Sequence, residues 1–409
     1  MATRSAAELS GGPLAGLRVI DLSVNVLGPV ATQILGDMGA DVVKIEEPSG
    51  DYTRQVGPSR SDGMSVFYLN LNRNKRSIVL DLKQAAAKAG LMRLVEGADV
   101  FVHSMRPDAA RRLGVAYTDI AKVKPDIVYA SATGFRPGSS RHNLPAFDDV
   151  IQSLSGLAAM NGRLAGTPQY LPCVIADKHC GHVLASSIAM ALLWRERTGE
   201  GQEVHVPMYE TVTAFNLVEH LWGAVLDQPE LGLGYSRMFT PHRRPHATRD
   251  GYISLLANTD AQWRRLFVAM DRPDLLDDPR FSQIAERSRN IDALYAIVAD
   301  VMRSRSTAYW QATLDAADIP NGPINEFEDL LEDPYLAETG FFRRMEHPTE
   351  GRMMTTQVPV AFSRSAPDIR RLAPRLGADT GEVLAGAGFS EDEIACLTWA
   401  GSRKLQAAE

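Results

Sequence analysis

The 409-residue sequence lacks the cysteine patterns on which metal and disulfide sites depend. It has only three cysteines, Cys173, Cys180 and Cys396, and no two of them form a CxxC pair. A thiolate zinc site and a secreted disulfide framework are therefore not predicted, and a cytoplasmic location fits. His179 and His182 lie three residues apart, but no HExxH is present, so we interpret them as packed helix residues and expect no metal.

Long apolar runs are also absent. The longest stretch, Val183–Trp194, carries two serines and is shorter than the roughly 20 residues that cross a bilayer. The N-terminal residues MATRSAAELSGG contain no apolar core like that of a signal peptide. We therefore expect no membrane association. The net charge of −7 argues against a nucleic-acid partner, which would favour a basic surface.

A dinucleotide fingerprint is missing as well. The turn after the first predicted strand reads SVNVLGP over Ser23–Pro29, where dinucleotide-binding proteins carry GxGxxG. The other glycine pair, Gly232 and Gly234, does not lie between a predicted strand and a predicted helix. An NAD-type cofactor is therefore not predicted, and we expect no permanently bound cofactor.

The first half of the chain instead alternates strand-like and helix-like segments. Hydrophobic residues make up 45% and charged residues 23% of the sequence, which is the balance of a globular protein. The alternation predicts an α/β fold, with a parallel sheet and helices on both of its faces. The predicted strands are Leu17–Leu22, Asp41–Ile45, Arg76–Leu82, Val100–His103 and Ile127–Ser131, and the predicted helices are Val30–Met38 and Gln84–Glu96.

A long helix over Lys178–Arg197, a strand over Glu203–Pro207 and a helix over Met208–Trp222 follow. A chain of this length exceeds one ordinary core, so two lobes are expected. The sequence becomes more polar and basic after about residue 227, and we place a smaller domain at 226–330. Further on, Met353–Val360 is typical of a strand and Glu391–Trp399 of a helix.

Asp177 stands between an apolar segment and the longest predicted helix, in LPCVIADKHCGH. Aspartate is a preferred N-cap residue, and the local sequence favours this structural role. In either role, the helix N-terminus is expected to hold the carboxylate ionised. An ionised, partly desolvated carboxylate at a helix start can also act as a nucleophile, so both roles stay open.

Several cations follow the predicted strands of the first half. Lys83 follows one strand, and Arg106, Arg111 and Arg112 follow the next strand. Ligands of parallel sheets lie at the carboxyl ends of strands, so Lys83 and Arg106 stand where phosphate groups would be met. The alternative is solvated surface charge, which is common for lysine and arginine.

A series of motifs runs in order along the chain from about Gly12 to Gly401. Its segments are Gly12–Ser23, Gly28–Glu46, Leu71–Lys83, Ala98–Pro107, Pro145–Gly162, Ile175–Met208, Arg243–Ile253, Ile319–Ile324 and Leu376–Leu384. Together they resemble the class III CoA-transferase family, which includes formyl-CoA and carnitine CoA-transferases and alpha-methylacyl-CoA racemases. No single segment would be specific, but their order is.

The resemblance implies that Asp177 is a nucleophile. In the transferases of the family, the matching aspartate attacks the acyl-CoA thioester, and CoA thiolate leaves to give an aspartyl anhydride. The thiolate then attacks the aspartyl carbonyl of the anhydride to give an aspartyl-CoA thioester. An acceptor acid next reacts through the same two steps in reverse order. Such a site must orient its reactants, donate hydrogen bonds to tetrahedral oxyanions and exclude water.

The resemblance also implies a CoA site in the first half of the chain. Its positions are Val26, Leu27 and Gly28 near the pantetheine, Leu80 and Lys83 near the adenosine and its phosphates, and Ser104, Met105 and Arg112 in another stretch of the same site. Two positions depart from the family pattern. Glu47 stands where formyl-CoA transferases have an arginine against the adenine, and Ser104-Met105 replaces an Asn-Phe pair.

Three roles of this protein are compatible with the resemblance. The first is CoA transfer from an acyl-CoA, with succinyl-CoA as one donor, to a small carboxylic acid. The second is racemisation of an acyl-CoA, but Phe147 stands where racemases carry their histidine base. The third is a non-catalytic subunit of a hetero-oligomeric transferase, against which the retained Asp177 argues. Only Gly232 and Gly234 remain of the glycine-rich loop of formyl-CoA transferases, so formate or oxalate is not the expected substrate. The basic stretch Arg237–His246 could hold a dicarboxylate, contact a CoA phosphate or form a solvated loop.

The fold implied by the resemblance has two domains. A Rossmann-like large domain would comprise residues 12–225 and, by a return of the chain, 331–409, and a smaller α+β domain would lie between them. Two chains would interlock as a homodimer. The active site would lie between the domains, where ligand sites are common.

Overall fold

The computed structural model describes residues 11–406, which divide into two compact units. The first unit comprises the chain up to Ala158, Tyr170–Phe215 and the chain from Glu338. The second comprises Ala159–Gln169 and Asn216–Ala337. In this part of the chain, no helix is both long and apolar enough to cross a membrane.

The first unit is built on a six-stranded parallel sheet. Its strand order is β3-β2-β1-β4-β5-β6, the order of doubly wound nucleotide-binding sheets. The predicted α/β fold with a parallel sheet is confirmed. The strands are β1 (Arg18–Leu22), β2 (Asp41–Glu46), β3 (Lys75–Val79), β4 (Val100–His103), β5 (Val128–Thr133) and β6 (Gln202–Pro207).

Most helices alternate with these strands or follow them. Up to His220, they are α1 (Leu27–Asp37), α2 (Val66–Leu71), α3 (Ala85–Glu96), α4 (Pro107–Leu113), α5 (Tyr117–Val123), α6 (Asp148–Leu154), α7 (Leu157–Ala165), α8 (Ile175–Thr198) and α9 (Met208–His220). Later in the chain, they are α10 (Asp260–Ala269), α11 (Ile284–Arg289), α12 (Ile291–Met302), α13 (Thr307–Ala316), α14 (Phe327–Glu332), α15 (Pro334–Glu338), α16 (Thr380–Gly386) and α17 (Glu391–Gln406).

The two faces of the sheet differ in chemistry because side chains alternate along each strand. On one face, Val43 and Ile45 pack into an apolar core with Leu91 of α3. On the other face lie the buried charges of Asp21 and Lys44. Helices α1 and α8 pack against each other on the side of the sheet away from α3, and α8 also packs on β5 and β6. The buried charges therefore lie on the same side as the helix that carries Asp177.

Strand β3 ends the sheet, and a C-terminal segment covers its open edge. The N–H of Ser77 donates to Asp379 Oδ2 at 2.8 Å, and the N–H of Val79 donates to Thr380 Oγ1 at 3.3 Å. The N–H of Asn74 donates to the carbonyl of Arg371 at 2.9 Å. Residues 371–380 thus occupy positions that a further strand would otherwise take.

The remaining strands are antiparallel. In the first unit, β10 (Phe342–His347) pairs with β11 (Gly351–Thr356). In the second unit, β7 (His246–Ala247), β8 (Tyr252–Leu255) and β9 (Asn321–Pro323) form a small sheet. A separate core, which includes Trp263, Phe267 and Trp310, packs beside it.

Two predicted strands differ from the structure. The strand predicted over Arg76–Leu82 ends at Val79, because Asp81 accepts hydrogen bonds from the backbone of Lys83 and the side chain of Gln84 and makes a turn. The strand predicted over Met353–Val360 is β11, which begins and ends earlier. Its partner β10 was not predicted, because FRRMEH shows little apolar alternation.

Candidate active site

Asp177 is the third residue of α8, which begins at Ile175. The N-cap residue is Val174, and no side chain caps the helix from that position. The predicted N-cap role of Asp177 is therefore wrong. Instead, the backbone N–H of Asp177 donates to Oδ2 of Asp148 at 2.9 Å. Asp148 thus accepts a first-turn N–H from a distant part of the chain.

Asp148 is itself held firmly. It is the first residue of α6, it is buried, and its Oδ1 accepts from Nε2 of Gln152 at 2.6 Å. Gln152 also accepts from the N–H of Leu171 at 2.9 Å and donates to the carbonyl of Cys173 at 3.2 Å. The segment that leads into α8 is therefore tied to α6, and the tie fixes where the carboxyl group of Asp177 lies.

The electrostatics of Asp177 differ from the prediction. Burial raises the pKa of its carboxyl to about 7, and the neighbouring Asp148 carboxylate adds to the rise. The expected stabilisation of the ionised form by the helix N-terminus is outweighed, since a macrodipole contributes about 0.3–1 kcal/mol at an exposed site. Desolvation and a like charge both favour the neutral form. This site therefore exchanges a proton near neutral pH.

Helix α8 approaches α1 closely at Gly181, one turn after Asp177. A Cβ atom at Gly181 would lie 2.8 Å from the carbonyl oxygen of Leu27 and 2.9 Å from Cγ1 of Val30. Only glycine permits this approach without a shift of backbone. The structure thus brings the first turns of α8 against Leu27, one of the residues that were predicted to contact pantetheine.

Gly181→Ala is expected to destabilise the protein by about 1–3 kcal/mol, because overpacking forces neighbouring backbone to move. The same displacement separates Asp177 from α1 and should lower the transfer rate. Thermal unfolding and a transfer assay measure the two effects. Gly386→Ala is a matched control, since a Cβ at this helical glycine would have no neighbour within 4 Å. Equal unfolding temperatures for the two variants would contradict the close approach.

The predicted CoA positions lie at the carboxyl edge of the parallel sheet. Val26, Leu27 and Gly28 form the start of α1 after β1, Leu80 and Lys83 follow β3, Ser104 and Met105 follow β4, and Arg112 lies in α4. The turn after β1 and the turn after β4 are linked, because the N–H of Val24 donates to Ser104 Oγ at 3.2 Å. This edge is where doubly wound sheets bind their ligands.

The exposure of these positions divides them into two groups. The side chains of Val26, Leu27 and Leu80 are buried in the protein. Lys83 and Arg112 are exposed, and neither forms an ion pair with a residue in the 11–406 range. Glu47 is also exposed and accepts a hydrogen bond from Ser49 Oγ at 2.8 Å. The two exposed cations are therefore available to an anionic ligand.

The histidines near Asp177 have other contacts. His182 Nδ1 lies 2.8 Å from the carbonyl of Lys178, and the His179 ring lies 4.5 Å from that of Phe215. Among the described residues, no group of three His, Cys, Asp or Glu side chains is arranged to hold a metal. Phe147, at the position of the racemase base, is 67% exposed.

The sequence interpretation assigned no role to Asp148 or Gln152. One signal was available: these residues are spaced i, i+4 in AFDDVIQ, so they share a face if the segment is helical. The contact between Asp148 and Asp177 spans 29 residues of sequence. Periodicity contains no information about a contact of that range.

Comparison with known proteins identifies the family. The model of CoA-transferase family III matches residues 14–380. The chain is 30% identical to formyl-CoA:oxalate CoA-transferase of Escherichia coli O157:H7, over 94% of this chain and 98% of that protein. It is 30% identical to mouse succinyl-CoA:glutarate CoA-transferase, over 91% of this chain and 86% of that protein.

A third relative is a probable fatty acyl-CoA transferase of Mycobacterium tuberculosis, Rv3272, 32% identical over 80% of this chain and 86% of that protein. A crystal structure of Rv3272 superposes with a TM-score of 0.78 at 28% identity, covering 90% of this chain and 98% of that one. The family match spans most of the chain, and the fold agrees with it. The chain therefore belongs to CoA-transferase family III and is a transferase enzyme.

Proposed function

We propose that this enzyme transfers CoA between carboxylic acids with Asp177 as its nucleophile. The observation that carries the proposal is the position of Asp177, in the first turn of a helix packed against α1 at Leu27 and Val30, and beside the buried Asp148. The family membership supports CoA transfer in general. The assignment of Asp177 rests on this geometry and on the match of its position to the family nucleophile.

In the proposed reaction, a carboxylate oxygen of Asp177 attacks the thioester carbonyl carbon. The carbon–sulfur bond breaks, CoA leaves as thiolate, and an aspartyl anhydride remains. The thiolate then attacks the Asp177 carbonyl of the anhydride and releases the first acid as a carboxylate. The acceptor carboxylate then attacks the Asp177 carbonyl of the aspartyl-CoA thioester, which releases the thiolate and forms a second anhydride. The thiolate finally attacks the acceptor acyl carbonyl of this anhydride, which gives the new acyl-CoA and restores the Asp177 carboxylate. Every leaving group departs as an anion, so no proton transfer is required.

Asp177 must lose its proton before it can attack. With a pKa near 7, a fraction of the molecules has an ionised Asp177 at neutral pH. The first-turn N–H groups of α1, which include those of Leu27 and Gly28, have no acceptor within the helix. They are candidate donors to a tetrahedral oxyanion or a thiolate.

For CoA itself, we propose that Lys83 and Arg112 meet the phosphates, while Ser104 and Met105 line the same site. The large unit would be Rossmann-like, and two chains would interlock as a homodimer. A racemase is not favoured, since Phe147 offers no base.

The acid substrates are proposed to be dicarboxylates. Two relatives are named for oxalate and for succinyl-CoA with glutarate. In the second unit, Arg243 and Arg244 are exposed and form no ion pair with a described residue, whereas Arg237 donates to the Tyr295 hydroxyl at 2.9 Å. Exposed guanidinium groups suit carboxylate recognition. We propose succinyl-CoA as one donor.

A donor screen with chemical trapping tests the proposal. The enzyme is incubated with succinyl-, formyl- or acetyl-CoA and hydroxylamine, digested, and analysed by mass spectrometry. An acylated carboxylate is expected to become a hydroxamate at Asp177, and at no other carboxylate of the digest. Free CoA without an acyl group is the control, because it offers no anhydride. Efficient transfer together with an unmodified Asp177 would exclude the proposed nucleophile.

A further inference from the structure

The buried ion pair between Lys44 and Asp51 lies outside the site just described, yet it reaches the turn that precedes α1. We propose that Lys44 and Asp51 are positioning residues, which hold the turn Ser23–Val26 in the shape that receives the acyl-CoA thioester. The inference rests on the proposed function, and it assigns a role to charges of β2 and its following loop that contact neither Asp177 nor its helix.

The pair contacts the turn at two backbone groups. Lys44 Nζ lies 2.9 Å from Asp51 Oδ2 and donates to the carbonyl of Ser23 at 2.8 Å. Asp51 Oδ1 accepts from the N–H of Asn25 at 3.3 Å. One cation and one anion thus fix an acceptor and a donor two residues apart. Charge-assisted hydrogen bonds of this kind are stronger than neutral ones.

The turn requires such support because of its backbone conformation. Asn25 has a φ of 65°, in the left-handed region that non-glycine residues adopt at a cost. Asp21 adds further hydrogen bonds, because its Oδ1 accepts from the N–H of Ser23 at 2.8 Å and from its hydroxyl at 2.5 Å. Lys75 lies 3.3 Å from the other oxygen of Asp21. Buried charges of the sheet and of the loop after β2 therefore hold the turn that contains Asn25.

Both members of the pair are ionised. Burial alone would raise the pKa of Asp51, but the Lys44 ammonium and hydrogen bonds from Thr53 lower it below its usual value. Burial would likewise lower the pKa of Lys44, but Asp51, Asp21 and Glu46 raise it. Each charge is fully buried, so removal of either one leaves the other uncompensated.

A shift of the turn is transmitted towards Asp177. A Cβ at Gly28 would lie 2.1 Å from Cβ of Ser23, so α1 begins in direct contact with the turn. The carbonyl of Leu27 then meets Gly181 of α8. Because these contacts are closely packed and leave no free space, the turn, α1 and α8 are expected to move together.

Asp51→Asn is expected to raise the KM for acyl-CoA by about tenfold, with a smaller change in kcat. The matched control is Asp37→Asn. Asp37 also forms a buried ion pair, with Arg73 at 2.7 Å, and its Oδ1 accepts a hydrogen bond from the side chain of Asn74, away from the turn. Both variants should unfold at lower temperature than the wild type, but only Asp51→Asn should weaken binding of acyl-CoA.

Four measurements separate the outcomes. Hydroxamate formation and transfer by the wild-type enzyme test the proposed function. If the wild type shows neither, the variants have no reaction to alter, and both the proposed function and the positioning role are excluded. The dissociation constant of CoA, measured by calorimetry, and the KM of acyl-CoA test the positioning role. An unchanged KM in Asp51→Asn, or an equal rise in Asp37→Asn, would overturn it. If Asp51→Asn does not fold, Lys44→Met combined with Asp51→Asn removes both buried charges and is subject to the same criterion.

Discussion

Asp177→Ala is expected to lower the rate of CoA transfer by about 10³-fold or more, since loss of a nucleophile removes the covalent route altogether. The variant should still bind CoA, because the exposed cations Lys83 and Arg112 lie on other elements of the sheet edge. It should also form no hydroxamate. A transfer assay, CoA calorimetry and mass spectrometry of the trapped enzyme measure the three effects.

Asp177→Asn should give the same result with less change of shape. Removal of the half-buried carboxyl also removes its repulsion from Asp148, so neither variant is expected to unfold at lower temperature. Asp149→Asn is the matched control, since Asp149 is an exposed carboxylate next to Asp148. Wild-type activity in Asp177→Ala would exclude the nucleophile, and an inactive Asp149→Asn would show that the effect is not specific.

The second large effect is expected in the pH dependence. Only the ionised carboxylate can attack, and burial together with Asp148 raises the pKa of Asp177 to about 7. The value of kcat/KM should therefore be constant above pH 8 and fall about tenfold per pH unit below pH 7. An ordinary aspartate would give no such fall until about pH 4. Rates measured between pH 5 and pH 9 distinguish the two cases.

Asp148→Asn tests the cause of this shift. The substitution removes a negative charge but keeps one oxygen that can accept from the N–H of Asp177. Loss of the like charge lowers the pKa of Asp177, so the inflection should move to lower pH, while the effect of burial remains. At pH 6 the variant should therefore retain a larger share of its own maximal rate than the wild type does.

Asp149→Asn again provides the comparison, because it changes the net charge by the same amount at an exposed position. Its inflection should coincide with that of the wild type. A movement of the inflection to higher pH in Asp148→Asn would contradict the repulsion between the two carboxylates. A pH-independent rate in the wild type would contradict the raised pKa itself.

The sheet and the position of Asp177 could be predicted from the sequence because both depend on local patterns. Apolar runs bounded by helical segments gave five of the six parallel strands in the first half of the chain, with ends shifted by a few residues, and the EVHVP strand gave the sixth. Asp177 was singled out because it precedes the predicted helix Lys178–Arg197, although α8 begins two residues before it. Its cap role was wrong because α8 begins at Ile175, and its ionisation was wrong because burial, with a further contribution from Asp148, raises the pKa of its carboxyl.

Long-range contacts account for the other differences. The role of Lys44 depends on a turn 21 residues away, and nothing in DVVKIE marks its lysine as buried. Lysine in a strand is ordinarily solvated. Similarly, the predicted CoA position Leu80 looks like any strand residue in the sequence, but the structure places it in the apolar core.

The cover over the edge of β3 has a consequence for biosynthesis. Residues 371–380 are synthesised after all six strands of the main sheet, yet they hydrogen-bond to backbone N–H groups at its edge strand. Until they dock, the nascent protein presents an open strand to its neighbours, and open edges invite intermolecular pairing. The edge of β3 is therefore covered only once residues 371–380 have been synthesised, and a chain cut short before residue 371 would keep this strand edge open to intermolecular pairing.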